Sequence, residues 1–472
     1  MVRVRRSKEK AECSPDKQEK DNIKPPLAQG LDYNIGNWFL ELSKAQEIRG
    51  WKVLAIIFGF AIFIRLATGL GPYSGFNDPP VFGDYEAQRH WLEITHHLPL
   101  TQWYFHDLHY WGLDYPPLTA FHSKLLGFIA HAVDPAQVEL YASRGLESTD
   151  SKIFMRLTVL ASDILVFFSG AVYFAWPSKK GNAIPKIAGL ALLLANPSFT
   201  LIDHGHFQYN CVMLGFALWA FGLLSSGHRL LGAFAFCMAL GFKQMALFYA
   251  LPVFFYLLGH IFFSGFLGGT ILLIKVGITT VFSLGGLVAP FLYAGHHELK
   301  DFGKTQVIQI FHRLFPVGRG LYEDKVANFW CAINVAVKLR SLYSVAFLAR
   351  VSAITTLLVL LPSCLHLAKA RTQPAFIYSL SISALAFFLF GFQVHEKTVL
   401  LPLLPLALLC LCGVEGVWLV RWFTNVAVFS MHPLLFREGL ILAYWSNLLF
   451  WNVISGPPRP STLLGWAELV AF

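Results

Sequence analysis

The chain has 472 residues, of which 55% are hydrophobic and only 14% charged, and it contains 43 phenylalanines. So apolar and charge-poor a composition excludes a soluble globular enzyme and defines an all-α polytopic membrane protein. The formal net charge of +9 lies largely beside apolar segments and suits anionic lipid headgroups. With no long basic run interleaved with aromatics, no nucleic-acid partner is expected.

Residues 1–50 are polar and mixed in charge. They start with the basic VRVRRSKEK and lack the apolar core of a cleavable signal, which predicts a disordered cytosolic tail. A first span occupies 51–72, with its apolar run at 53–70. Further long apolar runs lie at 153–176, 266–290, 347–367 and 376–392, and shorter ones at 187–201, 212–224, 230–241 and 245–263. Each long run approaches or exceeds the ~20 residues that cross a bilayer as helix, and hydropathy counting gives roughly a dozen spans. The chain divides accordingly into a loop at 73–152, a bundle at 153–295, a loop with helices at 296–345, a second bundle at 346–455 and a C-terminal segment at 456–472. Lys179, Lys180 and Lys186 follow the second span, and Lys369 and Arg371 separate two later ones. The positive-inside rule then turns the 73–152 loop to the lumen or exterior.

That loop carries ten of the twenty acidic residues beyond the tail. Solvation of a loop accounts for some of them. Within it, Glu86, Arg89, His90 and Glu93 recur at spacings of three and four, as on one face of a helix. Asp84 falls where an N-cap would sit, so it is either a helix cap or a carboxylate facing a water-filled cavity at the membrane surface. Trp103, Tyr104, Phe105, Tyr110 and Trp111 read as an interfacial aromatic belt, as sugar-stacking rings, or as both. Asp114 and Tyr115 precede Pro116-Pro117, where proline drives its neighbour to extended geometry. A turn of that rigidity positions a carboxylate.

Three further polar constellations are expected on the same side. Asp203, His204, His206 and Gln208 join two spans; the D-x-x-H spacing permits a metal, but two histidines and one acid are a weak signal for one. His312, Arg313, Arg319, Glu323, Asp324 and Lys325 form a charged segment that reads mostly as a solvated face. His395, Glu396 and Lys397 are wedged between two apolar runs without the usual turn formers, which favours a site over a plain hairpin. Lys243, between two short spans, is placed to face the same cavity. Arg65 and Asp163, inside the first two spans, either pair or snorkel. The seven cysteines show no CxxC and no pairing pattern. Neither a Walker sequence nor a dinucleotide fingerprint is present. Ionisable residues gather in loops, with few in the span interiors, against a transporter.

GDYEAQRHW, QWYFHDL, YWGLDYPPLTA, DHGHFQYN, RLFPVGRGLYEDKVANFWC and FQVHEK, in that order from about Phe82 to Lys397, resemble the endoplasmic reticulum dolichyl-phosphate-glucose-dependent α-1,3-glucosyltransferases, membrane enzymes of the GT-C fold. GLDYPPLTA and GLYEDKVANFW are more similar to the members that add the first glucose to a nine-mannose oligosaccharide than to those that add the second. After about Pro433 the match fades, and the chain is shorter than the family pattern. The resemblance implies a dolichyl-phosphate-glucose donor, a dolichyl-pyrophosphate-linked oligosaccharide acceptor and inversion in one displacement. No cofactor and no metal are implied. It further implies Asp84 as the base, with Glu86 a weaker alternative. The donor phosphate is left to His395, Lys397, Arg313 and Arg319, of which His395 is favoured. Asp114, Tyr115, Arg89, His204, His206 and Gln208 are expected around the substrates. Other polyprenyl-phosphate-sugar transferases, mannosyltransferases among them, share fold and base.

Overall fold

The computed structural model describes residues 50–176, 183–298, 302–315, 326–412 and 417–456, and among these the regular structure is entirely helical. In chain order the helices are α1 (Gly50–Gly69), α2 (Gly83–His97), α3 (Pro117–Val133), α4 (Thr149–Ala175), α5 (Ala183–Leu194), α6 (Asn210–Ser225), α7 (Arg229–Phe242), α8 (Ala250–Phe262), α9 (Phe266–Glu298), α10 (Phe302–Leu314), α11 (Phe329–Ala336), α12 (Val345–Ala370), α13 (Gln373–Phe390), α14 (Leu400–Leu411), α15 (Val417–Ser430), α16 (His432–Arg437) and α17 (Ile441–Ser455). Among the described residues, seven helical segments are long and apolar enough to cross a membrane: α1, α4, α5 with the turns that follow it, α8 with the turn before it, α9, α12 and α13. Among the described residues, α6 and α7 are apolar but shorter than the ~20 residues a span needs.

Burial separates these helices into interior and periphery. The segment from Lys186 to Phe207 is almost wholly enclosed, whereas α9 presents Phe266, Leu267, Ile278, Val281 and Phe282 outward. An apolar flank is stable only against lipid, so α9 belongs to the rim. The main core joins α1, α4, α5, α6, α13, α14 and α17 through residues such as Ile57, Phe168, Leu194, Leu214, Phe376, Leu404 and Trp451.

The segment between α1 and α4 builds a smaller core of its own. Trp91, Ile94, Trp103, Tyr104, Leu113 and Ala120 pack with Phe291 of α9 and Ile310 of α10. Trp103 and Tyr104, read from sequence as belt or sugar-stacking residues, are therefore buried. Their polar tips close on the chain itself: Trp103 Nε1 donates to Leu98 O at 3.0 Å and Tyr104 OH to Tyr115 O at 2.7 Å. Pro117 opens α3 at a position where its missing N–H costs nothing. Parallel packing of α2 and α3 needs Gly127, whose Cβ would lie 2.5 Å from Leu92 O.

Two π-helical stretches interrupt the bundle, Asp163–Phe168 within α4 and Leu201–Phe207 after α5. Such stretches widen the turn and re-aim side chains. Between them they carry Asp163, Asp203, His204 and His206.

Candidate active site

The loop helix α2 begins at Gly83, with Phe82 at φ 57° preceding it and no side-chain cap. Asp84 therefore sits inside the first turn. The N-cap position read from sequence at Asp84 is corrected by two residues, to Phe82, because Phe82 and Gly83 both take positive φ and turn the chain into the helix earlier. Its backbone N–H donates to Ser74 Oγ at 3.2 Å, which leaves the carboxylate free of local duties.

That carboxylate collects three partners from distant parts of the chain. Asp84 Oδ2 accepts from Gln208 Nε2 at 2.6 Å, lies 2.9 Å from His206 Nε2 and forms an ion pair with Lys397 Nζ. Lys397 Nζ is also 3.0 Å from His206 Nε2. On the far side of the imidazole, His206 Nδ1 lies 2.7 and 2.8 Å from the two carboxylate oxygens of Glu438. A second layer extends through Gln208, whose Oε1 accepts from Tyr115 OH and Lys243 Nζ, both at 3.4 Å. Lys243 Nζ donates to Asn210 Oδ1 at 2.7 Å and stands 4.8 Å over the Tyr115 ring, a cation–π contact.

Burial by itself would raise the Asp84 pKa. The Lys397 ammonium outweighs it and holds the carboxyl well below its usual range. For Lys397, burial favours the neutral amine, but the Asp84 charge reverses the balance and raises its pKa. Both groups are thus charged at neutral pH. Their side chains keep 26% and 20% exposure, so the pair faces an opening.

The sequence candidates distribute unevenly around this centre. Asp84, His206, Gln208, Tyr115 and Lys397 meet in it. Asp114, half-buried beside Tyr115, acts on Lys243 through its charge. His395 accepts from Thr398 N at 3.0 Å through its carbonyl and opens the short turn Glu396–Val399 that carries Lys397. Arg313 donates from Nε to Leu113 O at 3.0 Å and from Nη2 to Gly112 O at 2.6 Å, and so pins the chain just before Asp114. Arg319, with Glu323, Asp324 and Lys325, lies outside the described residues.

Glu86 and Arg89 are engaged elsewhere. Arg89 forms a two-pronged pair with Glu86 at 2.6 and 2.7 Å, reaches Glu93 at 2.7 Å and Ser143 Oγ at 2.6 Å, and all four side chains are buried. Tyr110 OH donates to Glu86 Oε1 at 2.8 Å. This network ties α2 to the end of the loop. His204 likewise turns inward: its Nε2 lies 2.9 Å from Asp163 Oδ2, the oxygen that Arg65 Nε meets at 2.5 Å. Arg65 and Asp163 therefore pair and do not snorkel. Asp203 caps α6, accepting from Asn210 N, Asn210 Nδ2 and Cys211 N at 3.2, 2.8 and 2.6 Å. Asp203 and His206 serve different partners, so the D-x-x-H spacing does not converge on one point. Away from this centre, His96, His97 and His131 hold ring nitrogens within 4.8 Å of one another at the ends of α2 and α3.

Glu438 is the participant that sequence reasoning missed. The Arg-Glu-Gly-Leu around it does contain one cue, a glycine closing a helix. Gly439 takes φ 72°, its N–H reaches Phe436 O at 3.1 Å and the Leu440 N–H reaches Leu435 O at 2.9 Å. This is a Schellman ending for α16, and it leaves Glu438 directed at His206.

An apolar bundle with a charged, partly open acid–base cluster at one end defines a polytopic membrane protein with its chemistry at the ends of the helices. The chain belongs to the ALG6, ALG8 glycosyltransferase family, whose pattern matches residues 58–466. It is 44% identical to the dolichyl pyrophosphate Man9GlcNAc2 alpha-1,3-glucosyltransferase of Gallus gallus over 84% of this chain and 76% of that protein. The protein of the same name from Saccharomyces cerevisiae is 45% identical over 86% of this chain and 74% of its own length. The one from Rattus norvegicus is 44% identical over 84% and 76%.

Proposed function

We propose that the protein transfers glucose from dolichyl-phosphate-β-glucose to the 3-hydroxyl of a terminal mannose on a dolichyl-pyrophosphate-linked nine-mannose oligosaccharide, with inversion, at the luminal face of the endoplasmic reticulum membrane. The N-terminal tail is then cytosolic. Asp84 is the base. The observation that carries this reading is a carboxylate, free of any capping role, held at an opening by Lys397.

Inversion requires one displacement. The acceptor hydroxyl gives its proton to Asp84, its oxygen bonds to the anomeric carbon, and the bond from that carbon to the phosphate oxygen breaks with its electron pair leaving on dolichyl phosphate. A phosphate is a good leaving group at neutral pH, so the need is for a cation over it as charge develops. Lys397 serves there, with His395 and Arg313 at the rim. A carboxylate clamped by an ammonium is a poor base. When the donor phosphate competes for Lys397, Asp84 is released, and its affinity for a proton rises as the sugar arrives.

The lipid tails need a lateral approach. A groove of about 570 Å³ between α1 and α17 is lined by Phe60, Phe63, Leu442 and Phe450 and runs up to Gly71, Gly439 and Leu440, adjoining Glu438. Its apolar walls suit a polyisoprenoid chain whose headgroup ends at the cluster.

The test is transfer by purified protein in the presence of chelator, with dolichyl-phosphate-glucose and two acceptors, the nine-mannose lipid and its monoglucosylated product. One added hexose on the first acceptor only, lost in Asp84→Asn, is the expected result. Transfer only to the monoglucosylated lipid reassigns the acceptor, and near-normal turnover by Asp84→Asn removes Asp84 from the base role.

A further inference from the structure

Proton transfer to Asp84 poses a question of disposal. With His206 neutral, Asp84, Glu438 and Lys397 give the cluster one net negative charge. Once Lys397 moves to a phosphate, two carboxylates flank a single imidazole, 2.9 Å from one side and 2.7 to 2.8 Å from the other. A carboxylate offers only acceptors, so the hydrogen between His206 and Glu438 belongs to Nδ1; an ammonium offers only donors, so Nε2 accepts from Lys397 at 3.0 Å, and the ammonium bridges it to Asp84.

The imidazole has little freedom to do otherwise. His206 O accepts from Ser74 N at 2.9 Å, and the carbonyl before it, Gly205 O, accepts from Arg156 Nη2 at 2.8 Å. Its side chain is 2% exposed and that of Glu438 is 6% exposed. The Schellman turn at Gly439 fixes the Glu438 backbone. Ring orientation is thus set from the C-terminal side of the chain, by a residue that does not reach the opening.

We propose that Glu438 is a positioning residue for the transfer: it holds His206 by Nδ1–H so that Nε2 receives the proton Asp84 takes from the acceptor hydroxyl. This rests on Asp84 being the base. The O–H bond of the acceptor breaks and its proton reaches Asp84 Oδ2 as the new glycosidic bond forms and the phosphate departs with its electron pair. The proton then passes to His206 Nε2, vacated when Lys397 turns to the phosphate, and the imidazolium sits between two carboxylates until, after the products leave, the proton escapes to water by way of Asp84, the most exposed member of the cluster. Asp84 is returned ionised for the next acceptor.

The experiment is steady-state transfer by the full chain carrying Glu438→Gln, Glu438→Asp, His206→Ala and the His206→Ala/Glu438→Gln pair, with Asp84→Asn alongside. Glutamine can donate to Nδ1 and so present the wrong tautomer, a fault that in a serine-protease triad is very costly. Glu438→Gln is expected to lower kcat by about 10–100-fold, within the span of acid–base assistance, with the KM for both lipids unchanged within about twofold. Glu438→Asp should recover part of that loss. The double variant should be no slower than His206→Ala alone, because the two residues act as one unit. Wild-type kcat in Glu438→Gln, or multiplying losses in the pair, overturns the proposal. If Glu438→Gln does not fold, Glu438→Asp decides: reduced kcat at unchanged KM supports the role, and wild-type kcat overturns it. Turnover in Asp84→Asn is read separately, so a failure of the base assignment is distinguishable from a failure of the role of Glu438.

Discussion

Asp84 and Lys397, 313 residues apart in the chain, form an ion pair at the opening of the site, and the same lysine touches the imidazole that faces the same carboxylate. Lys397 therefore sets the resting state of Asp84 and, in the proposed mechanism, is the cation that meets the donor phosphate.

Replacing it separates the two duties. Lys397→Gln is expected to lower kcat by about 10²-fold, in the range of lost electrostatic stabilisation of a developing charge, and to raise the KM for the donor lipid several-fold while leaving that for the acceptor unchanged. Initial rates over a matrix of both lipids provide the check. An increase in acceptor KM alone would contradict donor-phosphate contact.

The same pair makes a signed prediction about pH. The Asp84 pKa is lowered in the folded protein and that of Lys397 is raised. The carboxylate contribution is present above its unfolded value of about 4 and is lost as pH falls through the folded one. The lysine contribution is present below about 10.4 and is lost as pH rises through its folded value. The difference in thermal midpoint between wild type and the Asp84→Asn/Lys397→Met pair should thus stay constant from about pH 5 to 9 and shrink toward pH 3. The kcat/KM of wild type, which reports the free enzyme, should show no acid limb from Asp84 between about pH 5 and 9.

Glu86 is the alternative base, and its surroundings argue for a structural task. It receives two bonds from Arg89 and one from Tyr110 within a buried network. Glu86→Gln should lower the thermal midpoint while kcat per folded molecule stays within about threefold. The converse, unchanged stability with abolished turnover, would restore Glu86 as base. Active-site titration alongside thermal unfolding separates these outcomes.

Deep in the bundle, Arg65 meets Asp163 and also donates from Nη1 to Leu194 O at 2.7 Å. Removing one partner of a buried pair typically costs about 3–5 kcal/mol, whereas replacing both by apolar residues is far milder. Arg65→Met should accordingly lose most of its folded yield in detergent, and Arg65→Met/Asp163→Leu should recover much of it. Size-exclusion profiles and unfolding midpoints test the contrast.

The apolar periodicity and length of α1, α4, α9, α12 and α13 are legible from residues alone, because a lipid environment demands long uninterrupted runs. The acid-rich loop is equally plain, and so is the cluster of polar residues from Asp203 to Gln208. What composition could not reveal is convergence. His204 and His206 are two residues apart and look alike in the sequence, yet one joins Arg65 and Asp163 in the interior while the other meets Asp84, a division made by the π-helical turn. Glu438 was illegible for a related reason: an acid beside a glycine after a short helix looks like an ordinary solvated turn until α17 docks against α1. Asp84 stayed open between a cap and a cavity-facing carboxylate in the sequence, since aspartate at a helix start is so common that two residues of register decide between a local bond and a free carboxylate.

Membrane proteins are threaded into the bilayer from the first span onward, and the groups around Asp84 emerge at positions 84, 206, 397 and 438. During synthesis the carboxylate is thus exposed for hundreds of residues before its ammonium partner appears, and the orienting glutamate comes later still. A nascent chain with most of its apolar bundle in place would hold a base with no means of gripping a phosphate or passing on a proton. On the proposed mechanism, competence for chemistry waits for the segment that carries Glu438 to dock, so a chain inserted only as far as Lys397 would not yet act on the lipids around it.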